Sequence, residues 1–259
     1  MMEYKNQTAL ITGASSGIGE VFANKLAEQG MNLILVARTE QKLEDLAKQY
    51  REKYGINTHV IVSDLSKENA AKEVKKTVDE LNLHVDMLIN NAGFGQVGSF
   101  IHNNLDKAHG QIMVNVSALV DMTYLFAADM EKKRNGAIIN IASTAAFQPL
   151  PKMAIYGATK AFVLSFSEAL WSELKHKGVK VLAICPGPTA TNFFEVSGGF
   201  GAKNLRTSEQ VVNTTMKALK KGKSFAIDGF GNYITANLPR FFPRQLITKV
   251  AGKVIKPSK

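Results

Sequence analysis

A phenol and an amine stand four residues apart in Tyr156-Gly157-Ala158-Thr159-Lys160. On a helix that spacing stacks the two side chains on one face. A lysine ammonium beside a phenol favours the phenolate and lowers its pKa. That brings a group ordinarily titrating near ~10 closer to neutral acid–base work. The pair by itself is equally at home as surface decoration, so its meaning depends on what else the chain brings to it. A second stretch with chemical content is Thr12-Gly13-Ala14-Ser15-Ser16-Gly17-Ile18-Gly19. It is entered from the apolar run Ala9–Ile11 and left along a helical face of Val21, Phe22, Leu26 and Ala27. Strand, glycine turn and helix together seat a dinucleotide pyrophosphate. The first glycine permits the tight turn, the later two leave room for phosphate and for close helix–strand packing, and the N–H groups opening the helix attract the anion. The spacing is GxxxGxG rather than the commoner GxGxxG. Gly13 to Gly17 also spells GxSxG, the nucleophile elbow of serine hydrolases, but that chemistry needs an acid and then a histidine further along. The last histidine, His176, falls within a helical pattern and none follows it, which argues against a hydrolase.

Positioning these groups falls to an alternation of apolar runs and amphipathic stretches. Asn32–Ala37 is nearly continuous in apolar residues, as suits a parallel strand buried on both faces. With the run before the glycine turn, further strands are predicted at Thr58–Val62, Asp86–Asn90, Gly136–Ala142, Val179–Ile184 and Ser224–Ile227, and helices over about 39–54, 67–81, 105–132 and 207–221. The order implies an α/β fold. It is a single-domain, Rossmann-type doubly wound parallel sheet of about seven strands with helices on both faces, over residues 1–228. A basic, helical extension that is no domain of its own then covers 229–259.

Ligands meet such a sheet at the carboxyl ends of its strands. The second strand ends at Ala37-Arg38, with no carboxylate for the 2′-hydroxyl of NAD and a guanidinium suited to the 2′-phosphate of NADP. The third ends at Asp64-Leu65, where an adenine ring would lie, although Asp64 serves equally as a helix cap. The fourth runs into Asn91-Ala92-Gly93, either room for a ligand or an asparagine turn. Asn115, on a mostly apolar helix, needs buried hydrogen-bond partners, as structural glue or in a polar site. The fifth strand ends at Ser143 and the sixth at Cys185-Pro186-Gly187-Pro188-Thr189-Ala190-Thr191. A glycine-rich loop, Ser197–Gly201, follows Phe193 and Phe194. It reads as a mobile lid over an apolar substrate or as a plain connector.

Composition narrows the classes. The 259 residues are 45% hydrophobic, ample for one core. No uninterrupted apolar run reaches the roughly 18 residues of a membrane span, and no hydrophobic leader precedes the first strand. Cys185 is the only cysteine, and the histidines show no metal-ligand spacing. A cytoplasmic protein without a metal is expected. Net charge is +10, but most basic residues alternate with acids on solvated helix faces, which makes no nucleic-acid surface. The exception is Gly229–Lys259, which carries Arg240, Arg244, Lys249, Lys253, Lys256 and Lys259 and no acid. Phe242, Leu246, Val250 and Val254 recur there every fourth residue, a stripe that either lies on anionic membrane or docks on the domain or a partner subunit.

As an ordered set, these residues resemble the short-chain dehydrogenase/reductase family in its compact NADP-preferring form, from about Thr8 to Ile227. TGASSGIG matches the family's cofactor turn and NNAG stands at Asn90–Gly93. The helix asparagine is Asn115, the strand-end serine Ser143 and the tyrosine–lysine pair Tyr156 and Lys160. The resemblance implies an oxidoreductase moving hydride between NADP(H) and a small carbonyl or alcohol substrate of ketone, aldehyde or 3-oxoacyl type. Tyr156 would be the general acid and Ser143 would hold the carbonyl oxygen. Lys160 would depress the tyrosine pKa and hold the nicotinamide ribose, and Asn115 would help keep a proton-relay water. The cofactor would rest on Gly13, Ser15, Ser16, Gly17, Ile18, Gly19, Arg38, Asp64, Leu65, Asn91, Ala92 and Gly93, with Pro186, Gly187, Thr189 and Thr191 at the carboxamide. Phe94, Phe147, Phe193, Phe194 and Phe200 would flank an apolar or acyl substrate. A homodimer or homotetramer, packed partly through the Asn115 and Tyr156 helices, is implied as well. The rival reading is a non-catalytic NADP-binding regulator or scaffold, membrane-peripheral through its tail, and the complete Ser143, Tyr156 and Lys160 set argues against it.

Overall fold

The apolar runs close into one sheet. A computed structural model describes residues 4–193, 197–198 and 205–254. In it β1 (Thr8–Thr12), β2 (Asn32–Ala37), β3 (Thr58–Val62), β4 (Met87–Asn90), β5 (Gly136–Ile141), β6 (Val179–Cys185) and β7 (Phe225–Ile227) run parallel in the order β3-β2-β1-β4-β5-β6-β7. Helices α1 (Gly17–Glu28), α2 (Glu40–Tyr54), α3 (Ala70–Glu80), α4 (Leu105–Ile112), α5 (Ala118–Lys133), α6 (Ala154–Leu174) and α7 (Ser208–Lys220) cover both faces, and α8 (Phe230–Asn237) and α9 (Arg244–Val254) follow. Because side chains alternate along a strand, Ile11, Leu33 and Leu35 meet Phe22 of α1, Tyr50 of α2 and Val211 of α7. Their neighbours Leu10, Ile34 and Leu88 meet Val74 of α3 and Met122 and Phe126 of α5 on the opposite face. The strand order reverses between β1 and β4, which opens a crevice at their carboxyl ends.

Three local departures matter for the site. The helix predicted near Lys67 starts at Ala70, because Asp64 first closes a turn with Lys67 N at 3.0 Å from Asp64 O. The single helix predicted over 105–132 is α4, a π-helical turn at Met113–Ser117 and α5, so one wide turn interrupts the regular ladder. By length and composition Leu105–Lys133 would suit a bilayer span, while Met122, Phe126 and Met130 pack into the core. The stripe Phe242, Leu246, Val250 and Val254 stays exposed, so it does not dock on its own domain.

A buried polar chain ties α6 to the sheet. Asn90 Nδ2 donates to Asn140 Oδ1 and to Thr123 Oγ1, both at 2.9 Å, and Asn140 Nδ2 donates to Ser167 Oγ at 2.9 Å. Each side chain in it has a hydrogen-bond partner, and the chain links β4, β5, α5 and α6.

Candidate active site

Helix α6 carries Tyr156 and Lys160 one turn apart, and the end of β5 carries Ser143. The Ser143 hydroxyl is the polar neighbour of the Tyr156 hydroxyl and favours its ionised form. Ser143 Oγ also accepts from Ala145 N at 3.1 Å and donates to Pro186 O at 3.4 Å, which ties the site to the segment after β6. Lys160 is buried. Its Nζ donates to Ile141 O at 2.6 Å and stands 5.9 Å from the Tyr156 ring centre.

The expected lowering of the tyrosine pKa by Lys160 is not what the structure shows. Burial pushes Tyr156 up to about 12, with the Ser143 hydroxyl pulling the other way. Burial also draws Lys160 down to about 8, against an upward pull from Cys185. Both groups share one desolvated crevice and the ammonium turns to the Ile141 carbonyl, so desolvation outweighs the charge effect. The phenol is thereby held protonated, the form a general acid needs.

The π-helical turn aims Asn115 inward. Its Oδ1 accepts from Phe94 N at 3.1 Å, and its Nδ2 donates to Phe94 O at 3.0 Å and Thr159 Oγ1 at 3.1 Å. Both amide hydrogens are engaged, so the side chain is glue between the loop after β4 and α6, and water-holding cannot rest on those hydrogens. Gly93 keeps the approach to Lys160 open: a β-carbon there would stand 3.0 Å from Asn115 Oδ1 and 3.5 Å from Lys160 Nζ.

The glycine turn folds back on the first turn of α1, where a β-carbon on Gly19 would collide with the Gly13 carbonyl. Ser16 precedes α1 without capping it through its side chain, and Ser15 is half-buried beside it. Ile18 packs against the core, so only its backbone faces a ligand. A β-carbon on Gly17 would touch Thr191 Cγ2 at 3.0 Å, so the segment after β6 forms the far wall of this groove. Asn91 clasps the turn: its Nδ2 donates to Thr12 O at 3.0 Å and Gly13 O at 3.1 Å, while Asn91 N and Ala92 N both donate to Thr12 Oγ1. Arg38 is exposed past the end of β2. Burial alone would raise the Asp64 carboxyl, yet two hydrogen bonds from Ser66 and the charges of Arg38 and Lys67 hold it below the usual carboxylate range. Leu65 is buried in the core and offers a ligand only its backbone. The glycine-rich turn and the helix start without a side-chain cap together fit a dinucleotide pyrophosphate.

The aromatic candidates separate. Phe193 lies 5.2 Å from Tyr156, ring centre to ring centre. A β-carbon on Gly95 would meet Phe193 Cζ at 2.8 Å, Tyr156 Cδ2 at 3.2 Å and Met153 Cε at 3.3 Å. Gly95 and Met153 are therefore part of this wall, and nothing in their types announced it. Phe94 and Phe147 do not join it. Asn115 pins the Phe94 backbone and turns its ring to Gly110 of α4, with Cζ 3.7 Å from a β-carbon there. Phe147 packs into the core beside Phe225 of β7, ring centres 6.2 Å apart. Phe194 and Phe200 lie outside the described residues.

The segment Pro186–Thr191 is held from behind by residues the sequence did not single out. Thr189 Oγ1 donates to Gly187 O at 2.9 Å. Asp228, fully buried, accepts from Arg206 Nε and Nη2 at 2.8 Å each and from Thr214 Oγ1 at 2.6 Å. Arg206 N donates to Pro188 O at 3.0 Å and Ala190 N donates to Arg206 O at 2.8 Å. Asn232 of α8 donates to Asp228 O at 2.7 Å and fills the space where a Gly187 side chain would go. The only signal for this clamp would have been an acid among apolar residues at a strand end.

Known proteins share this fold and much of this sequence. The family described as short chain dehydrogenase matches residues 7–198. An uncharacterized oxidoreductase of Staphylococcus epidermidis is 33% identical over 222 residues, 85% of this chain and 93% of that protein. The very-long-chain 3-oxoacyl-CoA reductase of Bos taurus is 32% identical over 242 residues, 89% of this chain and 75% of that protein. A short-chain dehydrogenase from Sphingobium yanoikuyae in complex with NADPH superposes with a TM-score of 0.84 at 31% identity, over 91% of this chain and 92% of that one. The chain belongs to the short-chain dehydrogenase family and is an oxidoreductase of CH–OH and C=O groups served by a nicotinamide cofactor.

Proposed function

We propose that the protein reduces ketones, aldehydes or 3-oxoacyl compounds with NADPH, with Tyr156 as the general acid. The observation that carries this is the placing of Tyr156 between the Phe193, Gly95 and Met153 wall and Lys160, whose Nζ stands 5.9 Å from the Tyr156 ring centre, with Ser143 beside its hydroxyl. When bound, the reduced nicotinamide supplies hydride to the carbonyl carbon. Ser143 and Tyr156 hydroxyls converge on the carbonyl oxygen and stabilise the charge developing there. The phenol, kept protonated by burial, gives its proton to that oxygen. Lys160, with its pKa drawn down to about 8, is still largely cationic at neutral pH and offsets the phenolate left behind.

NADP over NAD is supported by the exposed Arg38 and the absence of a carboxylate at Ala37. An apolar or acyl substrate is supported by the Phe193 and Met153 wall and by the activity named for the bovine relative. Exposed Ile112, Tyr124 and Phe162 on α4, α5 and α6 support a homodimer or homotetramer through those helices. A single buried cysteine, its thiol pushed up to about 12 by burial, suits the cytoplasm.

The test is consumption of NADPH, and of NADH in parallel, against ketones, aldehydes and 3-oxoacyl thioesters. Turnover with at least one class and a preference for NADPH are expected. Tight NADPH binding without turnover of any class would contradict the reading and favour a regulator.

A further inference from the structure

Among the described residues, nine of the eighteen exposed large apolar side chains fall between Phe230 and Val254. Phe230 and Phe241 are 80% and 79% exposed, an unusual presentation for phenylalanine on a surface that meets only water. Arg240, Arg244, Lys249 and Lys253 are interleaved with them and exposed, and no acid occurs from Gly229 onward. We propose that α8, the turn after it and α9 dock on an anionic lipid surface.

The geometry of α9 supports this. Ala251 is buried, and a β-carbon on Gly252 would stand 3.2 Å from Pro151, so that side of the helix rests on the domain. At roughly 100° per residue the opposite side presents Leu246 and Val250, with Lys249 and Lys253 along one flank. Apolar side chains facing out with ammonium groups beside them suit the boundary between headgroups and acyl chains.

The other occupants fit less well. The stripe is exposed, so the chain's own domain does not cover it. A second copy docked isologously would set the same cations against one another with no acid between them. The partner must therefore bring negative charge as well as apolar surface, and an anionic bilayer brings both. The site lies near this surface: Pro151 precedes Tyr156 on the same segment, and α8 packs beside the turn Thr144–Phe147 that follows Ser143. Docking would thus bring the catalytic crevice close to the bilayer, and the consequence that lipophilic carbonyls enter from it rests on the reductase reading above.

Sedimentation of the full chain with vesicles tests the docking without reference to turnover. Binding to vesicles of phosphatidylcholine with phosphatidylglycerol is expected, with little binding to phosphatidylcholine alone. It should weaken in about 1 M salt, where charges are screened beyond roughly 3 Å. Changing Arg240, Arg244, Lys249 and Lys253 to Gln one at a time should weaken binding about fivefold each. Phe241→Ser, Leu246→Ser and Val250→Ser together should abolish it, with unchanged unfolding temperature and NADPH turnover. Wild-type protein left in the supernatant with anionic vesicles, or variants that bind as wild type does, would overturn the proposal. So would a concentration-dependent oligomer that the serine variants dissolve in the absence of vesicle binding, which would assign the surface to a second copy.

Discussion

Two groups with opposite shifts, the half-buried Tyr156 and the buried Lys160, stand at the centre of the proposed chemistry at the residue scale. Tyr156 is pushed up to about 12 and Lys160 drawn down to about 8, and the same desolvation causes both. The lysine shift has a consequence for stability. Between pH ~8 and the ordinary 10.5 the unfolded chain keeps a proton on Lys160 that the folded chain has shed. Stability should therefore rise with pH there, by about 1.4 kcal/mol per unit for this one group. From pH ~10 upward Tyr156 opposes it, because the unfolded phenol ionises first and stability falls as pH rises. Urea unfolding of wild type and Lys160→Met between pH 8 and 10 should show the rise in wild type and a flatter profile in the variant. Equal slopes would mean that Lys160 is not desolvated as described. The Tyr156–Lys160 pair was legible from residue type and spacing, and Ser143 from the family resemblance. The direction of the tyrosine shift was not, because burial arises from β5, β6 and the loop after β4 closing over α6, which no local spacing reports.

At the scale of elements, two devices hold the site in place. The π-helical turn at Met113–Ser117 delivers Asn115 to Phe94 and Thr159, and the Arg206–Asp228 pair with Asn232 braces Pro186–Thr191 from behind. Replacing Arg206 with Leu leaves the buried Asp228 carboxylate without its cation, a loss of about 3 kcal/mol or more in stability. If the clamp positions the nicotinamide half, that variant should bind NADPH about tenfold more weakly while holding 2′,5′-ADP as wild type does. Equal losses for both ligands would reduce the pair to a structural role. The seven strands were legible because each is a short apolar run between turn residues. The break in the 105–132 helix was not, since the apolar pattern continues on either side of the wide turn. Phe94 and Phe147 were misplaced for a related reason: which way a loop side chain faces depends on what pins its backbone, and here Asn115 and the core decide it.

Over the whole molecule, the reversal of strand order brings Gly13–Gly19 against Asn91 and Thr191, and NNAG against Asn115 and Lys160, so residues far apart in sequence line one crevice. That convergence was legible, because alternating strands and helices leave few ways to wind a parallel sheet. The outward face of the C-terminal stripe was not, because an apolar stripe reads the same whether it packs inward or outward. The central claim is that the Tyr156 phenol gives up the proton. Its most direct test is Tyr156→Phe, assayed for NADPH oxidation with the best carbonyl substrate and for NADPH binding in the same preparation. Turnover should fall by roughly 100- to 10,000-fold while NADPH affinity stays near that of wild type. Undiminished turnover in a variant that binds NADPH normally would show that the proton comes from elsewhere.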